Sequence, residues 1–447
     1  MSRIDRLRQE LSAAVRLAAP VTLVQLGVML MGVVDTMMLG HVSAEALAAG
    51  ALGNIATFPL LIFGAGVLSA LDPLIAQAHG ADDREAISAH LQRGTVLALA
   101  LSVPIGLLIA HVEPFLRWVG EPDVIVGNAA AFARGLIWGL PAFFLFFAFR
   151  QTLQAMSVVR PTAVAIVAGN LINVAGNWIL IFGHLGVPAL GVAGSAYATS
   201  FSRWAMFAWF LWVARTALGA TWRGLTREAL HLKRHLHLLR IGIPIGVHQS
   251  GEILFFATLA LLVGRMGVVA LAGHQIAINL ASLSFMVPLG IGGAAATRVG
   301  NAIGRGDMPG ARRAAAACLA LGAGTMLAFA ALFALLPEPL ARLYTNDPGV
   351  IAMVALLLPI AAAFQVFDGI QTVGGGILRG AADTTFSAAL AVVGFWVIGL
   401  PAGWYLAFRA GQGAAGLWWG MTVGLAAVSL FLVVRIVQRF RGTIGRA

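Results

Sequence analysis

Cysteine is almost missing: Cys318 is the only one in 447 residues, so no intramolecular disulfide can form and no cysteine-built metal or iron–sulfur cluster is available. Charge is scarce too. Only 11% of the residues are Asp, Glu, Lys or Arg, against roughly a quarter in an average soluble domain, which excludes an ordinary soluble globular protein. The sequence has no GxxxxGK[ST] nucleotide loop, no zinc motif and no nucleophile–base signature. Intrinsic ATP-driven transport and a membrane-embedded enzyme are therefore both disfavoured, and neither catalytic residues nor a cofactor are expected.

What is abundant is apolar: 60% of the residues are hydrophobic, 53 glycines are spread along the chain, and the mean hydropathy is +0.89. This composition predicts an all-α polytopic membrane protein if the apolar runs reach spanning length. At 1.5 Å per residue and a hydrocarbon core of about 30 Å, twelve do. They lie near 14–40, 46–71, 93–112, 127–150, 161–183 and 190–214, then 239–264, 268–297, 314–336, 350–378, 386–408 and 413–434. An even number places both termini on one side. The opening MSRIDRLRQELSAAVRLAAP is charged and amphipathic and runs into a full-length span, so no signal peptide is expected.

A net charge of +11 and a pI near 11.4 raise the question of nucleic acid. The basic residues, however, are split among short segments between spans, as topology signals are, and no nucleic-acid partner is expected. Of 29 Lys and Arg, 23 fall on the N-terminal side, among them Arg84, Arg150, Arg160, Arg223, Arg298 and Arg435. The opposite side has Arg117, Arg265, Arg342 and Arg409, while Arg134 and Arg203 fall within spans. Both termini are expected in the cytoplasm. The longest polar connection, about 215–239, holds His231, His235 and His237 with Glu228 as its only carboxylate. An interfacial amphipathic linker helix explains it better than a metal site. The expected organisation is a six-helix lobe over 1–218, a basic cytoplasmic linker over 219–238 and a second six-helix lobe over 239–447.

The two halves repeat. Displacing the sequence by 224 residues aligns 20–83 with 244–307 without a gap: Pro20 meets Pro244, Gln25 meets Gln249, Gly27 meets Gly251, Gly40 meets Gly264, Gly66 meets Gly290 and Asp83 meets Asp307. QAHGADD and NAIGRGD end the second helix of each half, where Gly and Asp break helices. Six spans per half make these parallel repeats, related by an axis along the membrane normal, an arrangement of secondary transporters that work by alternating access.

Of the 18 acidic residues, fifteen lie in the N-terminal segment, in loops or close to span ends, Asp72 among them. Three do not: Asp35 in the first span, Glu252 in the seventh and Asp368 in the tenth. A carboxylate at the centre of a spanning helix costs about 2.5–3.5 kcal/mol on insertion scales, faces the bundle interior and marks an ion or substrate path. None of the three has a basic neighbour three or four residues away. Two arginines within spans cannot pair all three, and an unpaired carboxylate must hold a proton or bind a cation such as Na⁺. The repeat sets Leu259 opposite Asp35 and Val28 opposite Glu252, so the lobes do not share their acids. Glu252 and Asp368, two acids that can share one cation, make the second lobe the sharper candidate for coupling.

Polar residues accompany the acids. Asn170, Asn173 and Asn177 recur on one face of the fifth span, either as part of a first-lobe polar site or as interhelical hydrogen bonds. Gln249, Gln275 and Asn279 are candidate cleft residues, while His248 and His274 are either proton relays or hydrogen-bonded structural histidines. Phe143, Phe144, Phe146 and Phe147 crowd the fourth span, and Phe255 and Phe256 follow Glu252.

VDTMMLGHVS in the first span, GIPIG ahead of Glu252, AGHQIAINLASLSFMVPLGIGGAAATRVGNAIGRGD, and FDGIQTVGGGILRGAADT with Asp368 together resemble the multidrug and toxic compound extrusion (MATE) family, in its NorM-like subgroup, over nearly the whole chain. The resemblance implies V-shaped lobes in a bacterial inner membrane that export organic cations and amphiphilic drugs in exchange for H⁺ or Na⁺, as a monomer. It also implies functional roles for Asp35, Glu252 and Asp368. At Asn177 many members carry an aspartate that completes a first-lobe cation site with the counterparts of Asp35 and Asn173. At Phe364, some Na⁺-coupled relatives have a tyrosine. The first departure shifts the expectation toward a proton at Asp35 or toward coupling in the second lobe, and the second counts against Na⁺. A lipid-linked precursor flippase is the alternative, and it would need a cleft lined by arginines.

Overall fold

The computed structural model describes residues 3–219, 221–222 and 224–447. Met1 and Ser2 of the expected first lobe, and Ala220 and Arg223 of the expected linker, lie outside the described residues. Among the described residues there is no strand. Twelve helical segments carry the fold: α1 (Arg3–Gly40), α2 (Ala44–Gly80), α3 (Arg84–Ala110), α4 (Asp123–Ile137 and Leu140–Ala155), α5 (Arg160–Phe182), α6 (Gly191–Val213), α7 (Leu232–Gly264), α8 (Val268–Gly304), α9 (Met308–Leu335), α10 (Pro348–Gly380), α11 (Thr384–Arg409) and α12 (Gly413–Arg439).

Among the described residues ten of these are long and apolar enough to cross a membrane, and α4, bent by 51° at its break, makes an eleventh. The remaining one, α6, is 23 residues long but carries Ser195, Thr199, Ser200, Ser202 and Arg203. Its polar face is spent inside the protein, where Ser195, Thr199, Ser200 and Ser202 are all buried.

Local sequence sets the helix ends. Asp83 accepts a hydrogen bond from the Ala86 N–H at the start of α3, and Asp307 does the same for Gly310 at the start of α9. These are N-caps at matching repeat positions. Each follows a residue in the left-handed region, Asp82 at φ 55° and Gly306 at φ 72°, so the equivalence seen in sequence extends to the backbone of the turn.

The chain forms two compact units, Leu23–Gly246 and Met1–Thr22 with Val247–Ala447. Compared with the lobes expected at 1–218 and 239–447, each unit takes the opening residues of the other half's first helix. The division falls at Thr22 and Gly246, which are 224 residues apart and so occupy one repeat position. Inside the second unit a Cβ at Gly290 would collide with Thr22; inside the first, one at Gly246 would sit 2.7 Å from the Phe63 carbonyl.

The first unit is filled by large side chains: Leu68, Leu71, Leu74 and Ile75 of α2, Leu91 and Ile109 of α3, Leu140 and Phe144 of α4, and Phe210 of α6 are fully buried. The second unit fully buries Trp418, Phe255 and Phe395 and also brings helix backbones close together. A Cβ at Gly376 would overlap the Gly292 carbonyl, Gly394, Gly399 and Gly403 of α11 lie against Gly420 and Gly424 of α12, and Gly416 lies against the Leu406–Ala407 backbone. Small residues let helices approach closely where lipid gives no hydrophobic drive. Two π-helical stretches, Val393–Gly399 and Tyr405–Arg409, interrupt α11 along this contact.

Three expectations need correction. The second span does not end at 71 but runs to Gly80, so Asp72, expected at a span end, is only 1% exposed. Arg134 is not an interior charge, since it pairs at 2.8 Å with Glu113, from a short helix over Val112–Val119, and half its side chain is exposed. The linker is not a separate helix: after one 3-10 turn at Arg227–Leu230, the chain enters α7 at Leu232 and continues through the span as one 33-residue helix. His235 is spent on the Ala229 carbonyl at 2.6 Å, and no three His, Cys, Asp or Glu side chains gather as a metal set among the described residues.

Candidate functional site

Two carboxylate centres emerge, one in each unit, and they are built differently. In the first unit α1 supplies Asp35, α5 supplies Asn173 and Asn177, and α6 supplies Thr199. Asn177 Nδ2 donates to Asp35 Oδ1 at 2.6 Å and to Asn173 Oδ1 at 3.2 Å. Asn173 Nδ2 donates to Thr199 Oγ1 at 3.3 Å, and Thr199 Oγ1 donates to Asp35 Oδ2 at 2.8 Å. The result is a closed ring of four side chains in which both carboxylate oxygens accept, the pattern of an ionised carboxylate. Asn173, Asn177 and Thr199 are almost inaccessible, and Asp35 is 8% exposed.

The i, i+4 spacing of Asn173 and Asn177 puts both amides on the helix face that meets α1. Asn170, one turn earlier, serves a different purpose: its Nδ2 donates to the Gly27 carbonyl of α1 at 2.9 Å and fixes the helix pair. Thr199 was missed in the sequence reading. A threonine in an apolar run carries no signal of its own, although its membership in the polar run of α6 was visible.

In the second unit α7 supplies Glu252 and His248, and α10 supplies Asp368 and Gln371. His248 stands beside Glu252 and meets Gln371, one turn after Asp368, so the two acids lie on facing stretches of α7 and α10. Asp368 is 5% exposed, and its Oδ1 is buried without a hydrogen-bond partner. Glu252 is not as isolated as its sequence neighbours suggested, because His248, one turn earlier, brings Nε2 to 3.9 Å from Glu252 Oε2. That nitrogen already has a partner in Gln371 Nε2 at 2.9 Å. With the amide donating, Nε2 accepts, the ring holds its proton on Nδ1 and the histidine is neutral. It then offers Glu252 no positive charge.

Aromatic rings enclose this centre. Phe364, one turn before Asp368, lies between Phe256 at 6.2 Å and Trp418 at 6.0 Å, edge to face. Phe255 packs on Phe395 and Trp396, and the Trp396 Nε1–H donates to the Gly251 carbonyl at 3.2 Å. His274 is a structural histidine, since it is 2% exposed and its Nδ1 accepts from Trp418 Nε1 at 3.2 Å.

The other expected residues are less central. Gln249 is half-buried on α7, and Gln275 is exposed on α8. Asn279 is exposed and accepts from the Tyr344 hydroxyl at 2.9 Å. The structure does not join these three to the carboxylates. The α4 phenylalanines divide between packing and cation contacts. Phe144 and Phe146 are buried, whereas Phe143 lies under the Arg203 guanidinium and Phe147 under that of Arg150. Arg203 has no ion pair among the described residues, and its Nη1 is buried without a hydrogen-bond partner.

Comparison with known proteins supplies an independent view. The MatE family matches residues 20–179 and again 244–405; the two matches begin 224 residues apart, at Pro20 and Pro244. The chain is 35% identical over 441 residues to the multidrug resistance protein MdtK of Yersinia pseudotuberculosis serotype O:1b (strain IP 31758), covering 96% of this chain and 95% of that one. It is also 35% identical over 439 residues to the multidrug resistance protein NorM of Vibrio parahaemolyticus serotype O3:K6 (strain RIMD 2210633), covering 97% and 96%. Two solved structures share the fold. The eukaryotic MATE transporter AtDTX14 matches at TM-score 0.89 with 22% identity, and the Vibrio cholerae MATE transporter VcmN in its bent form at TM-score 0.84 with 17% identity, each over 98% of both chains.

Proposed function

From the premise that the chain belongs to the MatE family of multidrug efflux transporters, and is a transporter rather than an enzyme, we propose that it exports organic cations and amphiphilic drugs by antiport against H⁺ or Na⁺, with the second-unit carboxylates as the coupling site. One observation carries this reading: Asp368 holds a buried oxygen without a hydrogen-bond partner, facing a stretch of α7 with a second acid and a histidine committed elsewhere. Two carboxylates in such a place cannot both stay charged without a proton or a cation, because burial penalises each charge and each repels the other.

Coupling follows if a proton or Na⁺ at Glu252 and Asp368 and a drug cation near them exclude one another. Phe256, half-buried at the edge of this aromatic group, would then give the drug cation a π face to rest on. Asp35 acts in the first unit by a different route. If it takes up a proton on Oδ2, it becomes the donor to Thr199, and the direction of hydrogen bonding round the ring must change. Such a change alters contacts among α1, α5 and α6 without needing a metal ion. The asymmetry of Arg and Lys supports a topology with both termini in the cytoplasm, and we take the protein to act as a monomer in the inner membrane. A lipid-linked precursor flippase is less well supported: Arg134 is spent on Glu113 and Arg203 stacks on Phe143, leaving few cations for a pyrophosphate.

The test is efflux of a fluorescent organic cation from proteoliposomes, driven by a pH gradient alone and then by a Na⁺ gradient alone. We expect at least one gradient to drive efflux. If neither does so in a folded, monodisperse preparation, ion-coupled drug export is the wrong reading.

A further inference from the structure

The ends of α11 and α12 form a basic pocket that lies away from both carboxylate centres. It encloses about 480 Å³ and is lined by Ala382, Asp383, Arg435, Gln438, Arg439 and Thr443, with Gly442 at its edge. The lining contains one carboxylate, and that is already engaged: Arg435 Nε donates to Asp383 Oδ2 at 2.8 Å, while the same guanidinium stands 4.8 Å from the Phe386 ring centre. Arg435 is thus held at a fixed angle. Arg439, one turn further along α12, has no hydrogen bond or ion pair among the described residues. The segment after α12 is pinned as well, because Arg312 of α9 donates to the Phe440 carbonyl at 2.7 Å and to the Arg441 carbonyl at 3.0 Å. That keeps Gly442 and Thr443 against the pocket.

With Arg435 and Asp383 cancelling, Arg439 leaves the pocket a net positive charge, flanked by the neutral polar side chains of Gln438 and Thr443. This is the donor set for a phosphate oxygen pair. The surface beside the pocket distinguishes a lipid from a free anion. One turn before the pocket, on the same side of α12, Phe431 is 51% exposed, and Val434 at its flank is 42% exposed, an apolar surface of the kind an acyl chain rests on. Basic pockets between spanning helices at the membrane surface suit anionic lipid headgroups.

We propose that this pocket binds the phosphodiester headgroup of an anionic phospholipid, with Arg439 as the charged contact, Gln438 and Thr443 as polar contacts, and the α12 surface at Phe431 and Val434 as the seat of an acyl chain. The bound lipid ties α12 and the segment after it to the start of α11, and it is separate from the drug-coupling site.

The experiment is native mass spectrometry of the full chain in detergent, titrated with phosphatidylglycerol, phosphatidylcholine and inorganic phosphate, with thermal unfolding of the same samples. We expect a saturable phosphatidylglycerol adduct and a raised Tm, with no effect of the other two. Arg439→Gln should weaken that adduct about fivefold, the loss of one surface cation near an anionic headgroup, and Arg439→Lys should largely keep it. Arg409→Gln, at the other end of α11, should bind as the parent does. Equal retention of phosphatidylcholine and phosphatidylglycerol, an unchanged adduct in Arg439→Gln, or protection by inorganic phosphate alone would each overturn the proposal. The Tm in the absence of lipid identifies a misfolded variant, and Thr443→Val, expected to weaken binding less than Arg439→Gln, then provides the check in its place.

Discussion

The two buried acid centres solve one problem in opposite ways. Asp35 is surrounded by donors: two side chains point N–H or O–H groups at its two oxygens, and a third orients them. Asp368 has an oxygen with no donor at all and a second carboxylate on the facing stretch of α7. A charge that is hydrogen-bonded on both sides can persist inside a protein, whereas one that is not must be neutralised from outside. The first centre is therefore held by donors built into the fold, and the second depends more on what arrives in it. Coupling a transport cycle to an ion requires the second kind.

The largest effect should separate the centres directly. Asp368→Asn is expected to reduce gradient-driven efflux by at least tenfold in proteoliposomes, while Asp35→Asn, whose amide can still join the ring, should lose less. Equal losses would break the comparison. A second variant makes the first centre resemble the second. Asn177→Asp places a carboxylate against Asp35 in place of the donor now 2.6 Å away, and two such groups cannot both ionise without a cation. The difference in Tm between Na⁺ and K⁺ buffers should be several degrees larger than in the parent.

The smallest effects test whether hydrogen bonding or charge matters at each site. Thr199→Val removes the donor to Asp35 Oδ2, and a hydrogen bond to a charged group is worth about 1.5–3 kcal/mol, so Tm should fall by a few degrees. Ser284→Ala removes the 2.5 Å bond from Ser284 to Gln365, one turn before Asp368. An interhelical bond of that kind contributes about 0.6 kcal/mol, so both Tm and efflux should scarcely change. Similar stability losses in the two variants would contradict the view that donors sustain the first centre alone.

Much of this was legible in the sequence because the bilayer imposes so few solutions. Spanning length, the 224-residue repeat and three acids in apolar runs point to helices, to their order and to the candidate site residues without any contact being known. Periodicity also put Asn173 and Asn177 on one face. The partners of these residues were not legible, since Thr199 and Gln371 look like ordinary polar residues until folding sets them beside Asp35 and His248. Charge counting misjudged Arg134 because its partner, Glu113, sits 21 residues away, on a separate short helix. It misjudged Asp72 because the hydropathy of α2 falls before the helix ends. A histidine one turn from Glu252 was in plain view but does not register as a basic residue in a count of Lys and Arg.

Glu10 of α1 makes ion pairs with Arg298 and Arg313 of the second unit, the first of them across 288 residues of chain. Residues 23–246 form one compact unit, so during synthesis that unit can begin to assemble once the first half of α7 has emerged. Glu10 lies ahead of residues 23–246 in the chain, yet its partners Arg298 and Arg313 lie beyond them. Until those partners are made, an amphipathic segment with Glu10 and several arginines has to wait at the membrane surface, and its docking is the step with the longest loop to close. The ion pairs of Glu10 therefore close a loop that encloses the whole of the first unit.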